Sequence, residues 1–135
     1  VDSLEDLAAE TYSDDELDRS GARATYTIAV EAADTRLLWG FGWCASDPDT
    51  LAQNLEQMKF EFLVNGQPVD LAQFDMVEGF NDENQACRAY RAVVYNWPAG
   101  ASTLETRVTF LEDVNDGFST YPAGDMVFTY QVTAP

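Results

Sequence analysis

The chain has 135 residues, 24 acidic and 7 basic, for a net charge of −17, with two cysteines and no histidine. Such a balance argues against nucleic acid or an anionic membrane surface as a partner, because both need a basic face. The lack of histidine excludes a Ser-His-Asp triad, a thiolate–imidazole pair and any imidazole metal ligand.

The length suits one domain with a real hydrophobic core. No run of about 18 apolar residues occurs, so direct membrane insertion is not expected. Residues 1–20 hold eight of the acids and only Arg19 among the bases, and they read as an acidic flexible tail or linker ahead of a single domain at 21–135. Within that tail, Ser3 and Asp6 have the spacing of a helix cap carrying Leu4, Leu7 and Ala8. The opening residues lack a basic segment followed by an apolar one, so a signal or anchor is expected to lie outside this chain.

From Ala22 the pattern becomes strand-like. Tyr26, Ile28 and Val30 alternate with Thr25, Thr27 and Ala29, which predicts a half-buried strand. The next strand organises the rest. In Leu37–Cys44, one face carries Leu37, Trp39, Phe41 and Trp43, and the other carries Leu38, Gly40, Gly42 and Cys44. An aromatic face backed by a nearly bare one predicts a central strand, with something large lying close over the glycines.

One helix is predicted, over residues 48–58. Asp47 is its cap, Pro48 occupies the first helical position, and Leu51, Leu55 and Met58 form its apolar stripe. Phe60, Phe62 and Val64 predict a strand that turns at Asn65-Gly66, where both residues tolerate positive φ, into a partner at 67–71. Residues 74–86 read as an irregular polar loop. Strands follow at 87–97 and, after the Pro98-Ala99-Gly100 turn, at Leu104–Phe110. A loop at 112–124 leads to a last strand with Met126, Phe128, Tyr130 and Val132 facing inward.

About seven short strands and one crossover helix predict an all-β fold, a two-sheet antiparallel β-sandwich. The run from Asn96 to Thr133, with its Pro-Ala-Gly turn and closing Thr-Tyr-Gln-Val-Thr, resembles the last strands of bacterial immunoglobulin-like modules. The resemblance covers about the last 40 residues and implies architecture only. No tryptophan lies between Cys44 and Cys87, so the antibody-type arrangement is absent.

The two cysteines, 43 positions apart, are expected to form a structural disulfide, which places the domain outside the cell or in its envelope. Asp113, Asn115 and Asp116 begin like a calcium loop. Counted from Asp113, however, glycine comes fifth and position twelve is Gly124, so a turn explains them as well. Trp39 and Trp43 read as core. Trp97 and Tyr121, at strand ends beside proline, are the rings expected to be exposed for a ligand.

These residues point to a non-catalytic, secreted or cell-surface module that binds a protein or a glycan. The alternatives are a hydrolase built on two carboxylates and a purely structural spacer. With sixteen acids in residues 21–135 some carboxylate pair at glycosidase spacing is expected by chance, so their number selects no catalytic residue.

Overall fold

A computed structural model describes residues 1–12 and 23–135 of the chain. Among these, two short helices accompany two main sheets packed face to face. The first sheet contains β1 (Asp2–Ser3), β3 (Leu37–Ala45), β7 (Ala86–Val94) and β6 (Asp75–Phe80), in that spatial order. The second runs β2 (Arg23–Ala29), β11 (Gly124–Ala134), β8 (Gly100–Phe110), β4 (Met58–Val64) and β5 (Gln67–Val69). A small hairpin of β9 (Val114–Asn115) and β10 (Thr120–Tyr121) stands apart.

The sheets are mixed rather than wholly antiparallel. β1 runs parallel to β3, and β2 runs parallel to β11 over seven residue pairs. Tight turns join only antiparallel neighbours, and alternation within a strand carries no information about direction. Here β11 and its parallel partner β2 are separated by most of the chain, so no local signal marks the pairing.

The first twelve residues are not a solvated tail. Ser3 accepts a hydrogen bond from the Asp6 amide at 2.9 Å and caps α1 (Leu4–Thr11), the cap expected from the spacing. Leu4 and Ala8 are then buried in the core, Leu4 with 1% of its surface exposed. Acidic residues face water while two apolar residues one turn apart anchor the helix, enough to fix a segment of high net charge. The remainder of the expected tail, residues 13–20, lies outside the described residues.

α2 (Pro48–Glu56) crosses from the first sheet to the second, with the predicted start at Asp47, whose carboxylate accepts from the Thr50 amide at 2.8 Å. It ends two residues earlier than its stripe suggested. Met58 is buried, as that stripe required, but it opens β4 instead of closing the helix. Asn65 and Gly66 both have positive φ (48° and 80°), and Val64 faces Gln67 across the two-residue turn.

Between the sheets lie two adjoining clusters of buried side chains. Trp39 packs edge-on against Phe62 and Phe74, and its indole N–H donates to Thr106 Oγ1 on the facing sheet at 3.2 Å. Trp43 contacts Phe110 and Tyr121. Phe41 and Phe60, half-buried, join the two clusters. The aromatic face of β3 is therefore the spine of the interior, as its alternation predicts.

Among the described residues, nothing large covers the glycine face. A Cβ on Gly40 would run into the carbonyl oxygen of Tyr90 on β7, so glycine is required by the neighbouring backbone. At Gly42 a Cβ would make ordinary contact with Ala89, 3.5 Å away. Both glycines are exposed. No helix among the described residues is long and apolar enough to cross a membrane.

Candidate binding surface

The outer faces of the two sheets differ in chemistry. On the second sheet the outward side chains are mainly polar: Thr25 and Thr27 on β2, Thr129 and Gln131 on β11, Glu105, Arg107 and Thr109 on β8, Lys59 and Glu61 on β4, with Val127 and Leu63 the apolar members of the same rows. Glu61 stands opposite Arg107, and Arg107 also meets Glu105 at 3.3 Å.

The outer face of the first sheet is small and apolar. Leu38 faces Val93, Gly42 faces Ala89 and Cys44 faces Cys87, and on the far side of β7 Val77 faces Ala89 and Gly79 faces Cys87. Cys44 and Cys87 are joined, with their Cα atoms 4.1 Å apart. The expected disulfide is therefore present, and it lies within one sheet. Arg91, between Gly40 and Asp75, supplies the positive charge on this surface.

The edge of this sheet is β6, and all six of its residues are exposed. Phe74, just before it, is buried against Phe62 and Trp39 and fixes where the strand leaves the core. Met76, Glu78 and Phe80 point to the inner side of the sheet, opposite Tyr90, Arg88 and Ala86. Even so, Met76 is 53% and Phe80 64% exposed, because the strand lies beyond the cover of the facing sheet. Glu78, between them, accepts from Arg88 Nε at 2.7 Å. Burial works against the charge of Arg88, and the hydrogen bonds to Glu78 and Tyr90 outweigh it, so the guanidinium is held more firmly protonated than usual.

Sequence reasoning missed this strand and read 74–86 as a loop. β6 is buried on neither face, so neither of its faces is uniformly apolar. The available signal was the polar run Asn81-Asp82-Glu83-Asn84, which is the hairpin turn between β6 and β7. Asn81 Oδ1 accepts from the Glu83 and Gln85 amides, and Asn84 takes a φ of 60°.

A pocket of about 260 Å³ opens at the other end of the sheet, where β1 pairs only with Leu37 and Leu38. Gly40, Gly42, Phe41, Tyr90 and Arg91 help to line it, with Ser3–Glu5 across the opening.

The expected site residues lie elsewhere. Trp97 is 6% exposed and belongs to the core: its indole N–H donates to the Thr35 carbonyl at 2.8 Å and its amide to the Ala33 carbonyl at 2.8 Å. It wedges the 33–35 turn in place instead of facing a ligand. Tyr121 is half-buried against Trp43 and Phe110 in the other cluster, so the two rings form no common platform. Tyr95, by contrast, is exposed, with the Arg36 guanidinium 5.4 Å from its ring centre.

Asp113, Asn115 and Asp116 turn their oxygens to the backbone. Asp113 accepts from the Ala123 amide, Asn115 from Gly117, and Asp116 from both Phe118 and Ser119, at 2.8–3.0 Å. Gly117 has a φ of 97° and lies where a Cβ would strike Ser46. The Asp-Gly pair is thus the turn that docks the β9–β10 hairpin beside α2. Among the described residues, no group of three or more His, Cys, Asp or Glu side chains is placed to hold a metal ion.

Compared with family models, with curated proteins and with solved structures, the chain matches none.

Proposed function

We propose that this domain is a non-catalytic binding module that works in an oxidising compartment, at the cell surface or beyond, and takes a protein ligand on its first sheet. The observation that carries this reading is the exposed apolar side chains along the edge strand β6, Met76 and Phe80 on its inner side and Val77 on its outer side. The second sheet, whose outward side chains are mainly threonine and charged residues with Leu63 and Val127 among them, sets the contrast. Large apolar groups left exposed along one edge strand are a common mark of an interaction site.

The Cys44–Cys87 bond supports the compartment, since such bonds persist where thiols are not kept reduced. We further read the two packed sheets as an immunoglobulin-like sandwich in the broad sense. The support is the β2–β11 and β8–β11 framework, with β4 leading on to the edge. Between the two ligand classes, protein is favoured over glycan because Trp97, the ring best placed by sequence for a sugar platform, is inside the core.

The test offers the labelled domain arrays of short peptides and of glycans, together with chromogenic glycosides. Peptide binding that weakens about tenfold or more in the Met76→Lys, Phe80→Lys double variant, with its circular dichroism unchanged, supports the reading. Binding confined to glycans, turnover of a glycoside, or peptide binding indifferent to the double variant overturns it.

A further inference from the structure

Resting on that reading, we infer that the ligand is an extended segment carrying basic residues, which adds to the first sheet as a new strand beside β6.

The register of the sheet decides which backbone groups of β6 are available. Directly opposed residues in an antiparallel pair alternate between bonded pairs, with Cα atoms about 5.5 Å apart, and non-bonded pairs at about 4.5 Å. The Cα separation of 4.1 Å makes Cys44 and Cys87 a non-bonded pair, so the N–H and C=O of Cys87 face β6. Gly79–Cys87, Val77–Ala89 and Asp75–Arg91 are then the bonded pairs. The turn agrees: the Asn81 amide donates to the Gln85 carbonyl, two residues on from Gly79–Cys87 in the same alternation. It follows that Met76, Glu78 and Phe80 point their N–H and C=O groups away from β7, at the open edge.

The other strands that end a sheet are blunted. β1 has two residues. β5 has three, and the middle one is Pro68. β2 is flanked by α1, and Tyr12 takes the Thr27 amide on its hydroxyl at 2.9 Å. Short length, proline and a covering element are the usual protections of a sheet edge. β6 has six residues, no proline and no lysine. Among the described residues its protection is acid: Asp75, opposite Arg91, Glu78, paired with Arg88, and Asp82 and Glu83, exposed in the turn that follows.

Acid repels only acid. A second copy of the chain would bring one net charge of −17 against another, with Asp82 and Glu83 exposed beside the edge. A basic strand meets complementary charge instead, and alternate apolar side chains on it can cover Met76 and Phe80. Strand addition of this kind takes affinity from the backbone bonds and specificity from the flanking side chains.

The test uses three synthetic ten-residue peptides read by fluorescence anisotropy: alternating Lys and Val, its Glu and Val twin, and the Lys peptide with alternate amides N-methylated. Binding of the first alone is expected, weakened about tenfold or more by Met76→Pro. Proline at 76 removes an outward N–H and spares the bonds to β7. Should that variant lose its fold, the N-methylated peptide still decides on the unaltered protein. No binding by the Lys peptide, or equal binding by the Glu twin, overturns the inference. Equal binding by the N-methylated peptide, lost in the Met76→Lys, Phe80→Lys double variant, removes strand pairing while the binding surface stands. A dimer in sedimentation that Met76→Pro dissolves overturns it in favour of a second copy.

Discussion

The indole N–H of Trp43 donates to Oδ1 of Asn54 at 3.0 Å, both residues being buried, and Asn54 Nδ2 donates in turn to the Asn115 carbonyl at 2.9 Å. One amide thus joins β3, α2 and the β9–β10 hairpin. Replacing Asn54 by Ala leaves the buried Trp43 N–H without its partner, at about 1–3 kcal/mol, and frees the Asn115 carbonyl. The melting temperature of Asn54→Ala is expected to fall by several degrees or more. Asn54→Gln, which keeps both groups on a longer stem, should fall too if geometry matters, and thermal melts of the two variants check this.

Gly40 and Gly42 sit on the same exposed face, and alternation treats them alike. They are expected to behave differently. Gly40→Ala drives a methyl into the Tyr90 carbonyl and should destabilise by about 1–3 kcal/mol, while Gly42→Ala places one in ordinary contact with Ala89 and should be close to neutral. Urea denaturation of the two variants separates them.

Cys44–Cys87 closes a loop across β3 and β7, and by loop entropy its removal should cost about 4 kcal/mol. A Cys44→Ser, Cys87→Ser double variant should melt at a lower temperature than the oxidised protein and show no further change with reductant. The wild-type protein should fall to the variant's value when reduced, with two thiols then open to alkylation by mass.

At the start of α2, the Thr50 amide holds the Asp47 carboxyl below the usual carboxylate range, with Ser46 Oγ adding a smaller contribution. A depressed folded pKa means stability that is fully present above the unfolded value and is lost as pH falls through the folded one. Asp47→Ala should therefore lower the melting temperature at neutral pH, and the gap from wild type should narrow in acid. A gap constant down to strong acid would show that the charge contributes nothing.

Much of the interior was legible from residue alternation. Trp39 and Trp43 inward, Leu104, Thr106, Val108 and Phe110 on β8, the Asn65-Gly66 turn and the Asp47 cap all follow from local periods and local caps. What escaped was of another kind. The burial of Asn54 depends on a tryptophan eleven residues away, and the parallel pairing of β2 with β11 joins strands at opposite ends of the described sequence. Trp97 beside Pro98 looked exposed because turns usually are, yet its ring fills the space beneath the 33–35 turn. β6 failed for the reason that makes it interesting: a strand buried on neither side has no apolar period to read, and in the reading proposed above its open edge receives a strand of the ligand.

The most direct measurement of that last claim is amide exchange in β6 by NMR, with and without the Lys–Val peptide. In the free protein the Val77 and Gly79 amides, bonded to β7, should exchange slowly, and those of Met76, Glu78 and Phe80 quickly. Adding the peptide should slow Met76, Glu78 and Phe80 selectively. Slow exchange at those three positions in the free protein, or a peptide that protects amides elsewhere and leaves them fast, would contradict an open edge that receives a strand.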